Sequence, residues 1–307
     1  MEALLPQVVA TSLINLSLAL VVGALAALVW LMKEAAPWRE QVSQSLYRVV
    51  YQALIACACA LLLSLWAEAA AMADVPLLDA GPAFREMLKS THYGHAGVAA
   101  IVVVGLAMAA HLALVKRDAS KTYAGMIAAC LVLFAAARVS IGHAFEHGPF
   151  SLPVVLELVH VLMMALWTGA VFVAGWLVLP IVQACEQSAT THRASLLNSL
   201  SDWATVALLA ILVTGAYNAY RVIGTPGDVV STFYGNVLLF KLAMVVTAIL
   251  LGGYNKFTGL PAALSFHSSE DSSRALRKVI AVLRIESFAL FFAVVAAAVL
   301  TGSAPPA

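Results

Sequence analysis

Apolar residues run in long blocks along this chain, and polar residues are confined to the gaps between them. Eight blocks are long enough to cross about 30 Å of hydrocarbon as α-helices, which takes about 20 residues each. They fall at roughly 4–32, 48–73, 93–115, 122–144, 153–182, 203–223, 235–255 and 279–301. Strands are excluded as spans, because open sheet edges find no hydrogen-bond partner in lipid. The pattern predicts an all-α polytopic membrane protein with eight transmembrane helices. The first block follows Glu2 rather than a basic stretch, so it reads as a retained span and not a cleaved signal. The serine- and acid-rich stretch 268–273 reads as a solvated linker.

The gaps carry the orientation. Twelve Lys and Arg residues lie in alternate connections or at their edges: Lys33, Arg39, Arg48, Lys116, Arg117, Lys121, Arg193, Lys256, Arg274, Arg277, Lys278 and Arg284. The opposite set holds four, namely Arg85, Lys89, Arg138 and Arg221, and Lys241 lies inside a span. Positive residues stay on the cytoplasmic side, so both termini are expected outside, which in a bacterial inner membrane is the periplasm.

Pairs of motifs suggest a parallel four-plus-four internal repeat. Ser90-Thr-His-Tyr-Gly-His95 opens the third block, and Ser231-Thr-Phe-Tyr-Gly-Asn236 opens the seventh. Gly23-Ala24 followed by Trp30 matches Gly169-Ala170 followed by Trp176 in the first and fifth. Gly142-His-Ala144 loosely matches Gly302-Ser-Ala304. The halves divide at 1–150 and 151–307.

Composition sharpens the class. The chain is 63% hydrophobic and 11% charged, against about 25% charged in soluble domains, with a mean hydropathy of +0.94. A net charge of +1 gives no reason to expect a nucleic-acid partner. The four cysteines are scattered with no C-x-x-C, so they read as packing residues and not as a disulfide framework. No nucleotide-binding P-loop occurs, and no enzyme activity is expected. Nothing in the pattern fixes an oligomeric state.

The candidate chemistry gathers on the outer side. Five of the eight histidines, His92, His95, His143, His147 and His160, fall in one outer layer. His143 and His147 are four apart and would share a face on an α-helix. Glu157 and His160 are three apart, and His160 and Met164 four apart. His95 starts a span, His143 ends the next and His160 enters the one after, so they are expected to converge, with Glu146, His147, Glu157 and Met164 nearby. Imidazole, carboxylate and thioether in one place suit copper in either oxidation state. Histidines that cap helix ends and meet water separately are the bland alternative. His111, His192 and His267 belong to the cytoplasmic side, where no site is expected. Lys241 and Glu286 read as structural ion-pair members, with Glu157 a partner for Lys241. Asn218, Asn236 and Asn255 read as interhelical hydrogen-bonding residues, and Trp167 and Trp176 as packing or belt residues.

Several motifs together resemble the copper resistance protein D family. They are Thr214-Gly-Ala-Tyr-Asn-Ala219, Tyr234-Gly-Asn-Val-Leu-Leu-Phe-Lys-Leu242, Asn255-Lys-Phe257 and Arg284-Ile-Glu286, with His160, Trp167-Thr-Gly169 and Ser140-Ile-Gly-His-Ala144 before them. The resemblance is closest over about 198–302. It implies a bacterial inner-membrane protein that handles copper, works with a separate periplasmic copper-binding protein and moves copper toward the cytoplasm. It supplies no ligand set. A second reading is a transmembrane redox protein holding haem b between paired histidines, His95 with His160 or His143 with His160.

Overall fold

The computed structural model describes residues 4–32, 36–115, 120–185, 190–222, 232–264 and 269–303. Among them there is no strand, and eight helices are long and apolar enough to cross a membrane. The spanning helices are α1 (Leu4–Leu31), α2 (Arg39–Met72), α4 (His92–Leu114), α5 (Ser120–Val139), α6 (Leu152–Cys185), α7 (Thr190–Val222), α8 (Phe233–Leu264) and α9 (Ser269–Thr301).

The additional helix, α3 (Gly81–Ser90), was not visible as an apolar block. It places Met87 in a small cluster with Leu65 and Ala69 of α2, while Arg85, Glu86 and Lys89 sit on the same short helix. With Pro82 in its first turn and only ten residues, it is too short to span a bilayer.

Helix ends differ from the hydropathy blocks in one systematic way. Several helices continue into polar sequence on the basic side, as α2 does from Arg39 and α9 from Ser269. The stretch expected as a linker is therefore helical from Ser269; Ser268 lies outside the described residues. Hydropathy marks where lipid ends, whereas backbone hydrogen bonding continues for as long as residues of adequate helix propensity follow. The fourth span ends early, at Val139, where Ser140 turns its hydroxyl onto the Ala137 carbonyl. The segment His143–His147 is a 3-10 helix, so the α-helical face assumed for His143 and His147 is not the local backbone.

Helix α1 is central, packing along α2 and α6 and also touching α5, α7 and α9. Its contact with α6 is a backbone-to-backbone approach. A methyl group added at Gly169 would run into the Ala19 carbonyl and lie 2.9 Å from the Gly23 nitrogen; one added at Gly23 would meet the Gly169 backbone. Small residues at such crossings let helices associate where no hydrophobic force separates protein from lipid. Around this axis, α4 pairs with α5, α6 with α7, and α8 with α9. The third and seventh blocks begin alike. Thr91 accepts from the Gly94 N–H at 3.0 Å, and Thr232 accepts from the Gly235 N–H at 3.0 Å. Each is an N-cap satisfying a donor that a helix start leaves orphaned. Ala304, in the third motif pair, lies outside the described residues.

Two spans contain a π-helical turn, Ala174–Val178 in α6 and Asn255–Gly259 in α8. Proline follows two residues later in both, at Pro180 and Pro261. Proline lacks an N–H and its ring crowds the carbonyl one turn back, and a widened turn accommodates both defects. In α6 a carbonyl of the widened turn is used: Arg284 donates to the Gly175 oxygen at 3.0 Å and lies over the Trp176 ring.

Candidate functional site

Glu157 and His160 enter one turn apart on α6, which follows Ser151 at the N-cap and has Pro153 in its first turn. Thr214 and Asn218 are four apart on α7, the helix packed alongside. The two spacings match across the interface. The Asn218 amide donates to Glu157 Oε2 at 2.6 Å, and His160 Nδ1 lies 2.9 Å from Thr214 Oγ1. Gly215 leaves room for the imidazole: a Cβ there would sit 3.4 Å from His160 Cε1.

These contacts select a tautomer. The Thr214 hydroxyl has one proton, and it donates to the Ala210 carbonyl at 2.7 Å. It therefore accepts from His160, so the neutral ring carries its proton on Nδ1 and has the Nε2 lone pair to offer a ligand. A histidine whose second nitrogen is held by a hydrogen bond is the usual form of a metal-binding imidazole.

Charge completes the cluster. Lys241 of α8 and Arg221 of α7 both act electrostatically on Glu157, and Glu157 acts in turn on Lys241 and on Tyr234 of α8. Three helices thus bring a carboxylate, an imidazole, an ammonium, an amide and two hydroxyls to one place within the apolar layer. Met164, one turn beyond His160, is half-buried and packs against the main core together with Met163. An imidazole one turn from a carboxylate, with a thioether a turn deeper, offers nitrogen, oxygen and sulfur donors to a copper ion.

The other expected site residues are placed differently. His95 is exposed, and its Nε2 lies 3.0 Å from the Lys89 carbonyl at the end of α3. The side chains of His143 and His147 lie outside the described residues. Glu146 is exposed on the 3-10 turn. His92 ties the start of α4 to the end of α5, with Nε2 at 3.0 Å from the Ser140 carbonyl and its ring stacked on Phe145. Among the described residues, no three His, Cys, Asp or Glu side chains gather as a metal site. On the opposite side His111 is buried against Tyr123, with Nδ1 3.0 Å from the hydroxyl.

A second buried carboxylate lies deeper. Glu286 of α9 is 2% exposed and accepts from the Trp167 indole N–H at 3.2 Å; Gly252 of α8 gives it space. Its bonded partner is thus an indole, not the ion-pair cation expected for it. The expectation for Asn255 holds, since its amide donates to the Val279 carbonyl at 3.5 Å, and so does that for Asn218. Sequence reading missed Thr214 as the group that orients His160. The available signal was the i, i+4 spacing of Thr214 and Asn218 opposite the i, i+3 spacing of Glu157 and His160.

Comparison with known families bears on this arrangement. A family model described as copper resistance protein D matches residues 194–300, and one described as copper resistance protein D-like, N-terminal domain, matches residues 1–151. Thr214, Asn218, Lys241 and Glu286 lie inside the matched stretches, whereas Glu157 and His160 lie between them. No curated protein and no solved structure matches the chain.

Proposed function

The chain belongs to the copper resistance protein D family, and from that premise we propose that it binds copper at the outer-facing cluster built on His160 and passes it across the membrane. That it is a multi-pass copper resistance membrane protein follows from the family and the eight apolar helices. The observation that supports the finer reading is the tautomer of His160. Its Nδ1 proton is engaged by Thr214, so Nε2 faces any ion with its lone pair.

Glu157 is the natural second donor, and Met164 the thioether that would take over as copper moves deeper. His95, His143, His147 and Glu146 remain proposed as outer capture ligands that hand copper to His160. Lys241 gives the proposal a working part. With no copper bound, its ammonium balances Glu157; a bound cation competes for the same carboxylate. The copper is cargo, received from a separate periplasmic copper-binding protein and delivered toward the cytoplasm. The haem reading needs two imidazoles facing one another across the helices; His95 Nε2 is turned instead to the Lys89 carbonyl, and the His143 side chain lies outside the described residues.

Copper titration tests this directly. His160→Ala should remove the outer-site binding, and Thr214→Val, which leaves the ring free to turn, should weaken it about 10- to 100-fold. Unchanged affinity in both variants would contradict the assignment.

Two further parts of the reading rest on sequence. We place both termini in the periplasm of an inner membrane, on the twelve-to-four distribution of Lys and Arg. A reporter active only in the cytoplasm, fused after Ala307, should stay silent; strong activity would reverse the orientation. We also read the halves as parallel repeats. The matched N-caps at Thr91 and Thr232 and the facing glycines Gly23 and Gly169 support that reading. An experimental structure with the two halves in unrelated helix arrangements would refute it.

A further inference from the structure

Glu286 is a buried acid that the outer cluster does not use. It lies near the middle of α9, 2% exposed, where α9 packs against α8 and α6. Its Oε1 accepts from the Trp167 indole N–H at 3.2 Å. On the other side the carboxyl faces the α8 backbone at Gly252, where a Cβ would come 3.2 Å from Oε1. The indole is a neutral donor. Among the described residues, no Lys, Arg or His forms an ion pair with Glu286.

The charged groups on the packed elements are engaged elsewhere. On α8, Lys241 precedes Gly252 by eleven residues and acts on Glu157. Lys256 donates to Thr205 at 2.7 Å and lies 3.9 Å from Asp202. On α9, Arg284 donates to the Gly175 carbonyl, and Arg274, Arg277 and Lys278 lie two turns or more toward the basic end. On α6, Glu157 and His160 precede Trp167 by two turns or more. Helix α1 carries no titratable side chain. A carboxylate withdrawn from water with no cation beside it costs far more than the neutral acid.

We propose that Glu286 holds a proton inside the membrane and exchanges it for the copper that passes along α6. The exchange rests on the copper reading above; the proton site does not. Oε1 is the carbonyl oxygen that accepts from Trp167, so the proton sits on Oε2. Glu157, His160, Met164 and Trp167 follow one another at three, four and three residues and therefore share one face of α6. Trp167 lies about 10 Å beyond His160 along the helix axis. A lone carboxyl balances one positive charge, so proton and copper exclude each other. As copper comes down this face, the Oε2–H bond breaks heterolytically and the proton leaves on water. The carboxylate takes a proton back when the ion has moved on. Copper keeps its oxidation state, and no electron is transferred. Asn255, one turn on from Gly252, is 4% exposed, and its Oδ1 accepts from no described donor. It offers the departing proton a buried acceptor on the basic side of Glu286.

Infrared difference spectroscopy of the full-length, copper-free protein in detergent tests the site. Wild type at neutral pH should show the C=O stretch of a protonated carboxylic acid, shifted in deuterium oxide, and Glu286→Gln should lose it. Trp167→Phe keeps the acid but removes the hydrogen bond to Oε1, so the same band should move to higher wavenumber. That arm stands even if the Gln variant folds poorly. A wild-type spectrum without the band, or a band that both variants leave unchanged, would overturn the proton site. Proteoliposomes enclosing a pH indicator test the exchange. Copper entry through wild type should drive protons the opposite way, and Glu286→Gln should abolish that proton movement. Unchanged proton movement in a folded Gln variant would overturn the exchange. His160→Ala should slow copper entry and keep the acid band. A wild type that shows the band but moves no copper would uphold the proton site and refute the transport reading, and the exchange with it.

Discussion

Replacing Gly169 with leucine is expected to destroy the fold, with a loss of at least about 3 kcal/mol in detergent-solubilised protein. The reason is where the first added atom goes. Even a Cβ at 169 overlaps the Ala19 carbonyl and lies 2.6 Å from its carbon, which is main chain and cannot swing aside. The helices α1 and α6 must then separate, and α1 is the element that α2, α5, α7 and α9 also pack against. Gly105 supplies the control, because nothing lies within 4 Å of a Cβ there. Gly105→Ala should be neutral or stabilise by up to about 1 kcal/mol through helix propensity. Thermal unfolding followed by circular dichroism distinguishes the two. Equal behaviour of Gly169→Leu and Gly105→Ala would remove the close crossing from the account.

The second large effect concerns the pair inside the site. Glu157→Ala removes the carboxylate that acts electrostatically on the half-buried Lys241 ammonium within the span, and leaving that charge uncompensated is expected to cost about 1–3 kcal/mol. Asn218 also loses its acceptor at 2.6 Å. Adding Lys241→Met should recover a large part of the loss, because the stranded charge goes with it. The coupling energy from the double-mutant cycle should be about 0.5–3 kcal/mol, as for residues that share one network. Additive effects of the two substitutions would mean that Lys241 snorkels to the surface and does not serve Glu157.

Particular residues show what the sequence could and could not reveal. Eight spans were legible because lipid imposes a length and an apolar composition on each. Helix α3 was not, since ten amphipathic residues at the surface look like any polar connection. Glu157 and His160 were legible as a pair from their spacing; Lys241, expected as the ion-pair partner of Glu157, is an electrostatic neighbour, and the bonded partner is Asn218. Thr214 became meaningful only when α7 was laid beside α6, 54 residues away in sequence. Trp167 looked like a packing or belt residue until its N–H was placed on Glu286, 119 residues distant. Depth along the spans suggested that His95 would turn toward His160. The corner between α3 and α4 instead offers it the Lys89 carbonyl, a local contact that hydropathy does not encode.

The central claim is that this chain holds copper at a site that includes His160. Elemental analysis together with an optical spectrum of the detergent-purified protein, from cells supplied with both copper and haem precursor, tests it most directly. The account predicts at least one copper per chain, no Soret band, and loss of one copper equivalent in His160→Ala. A stoichiometric Soret band, or a folded wild-type protein that binds no copper, would contradict it.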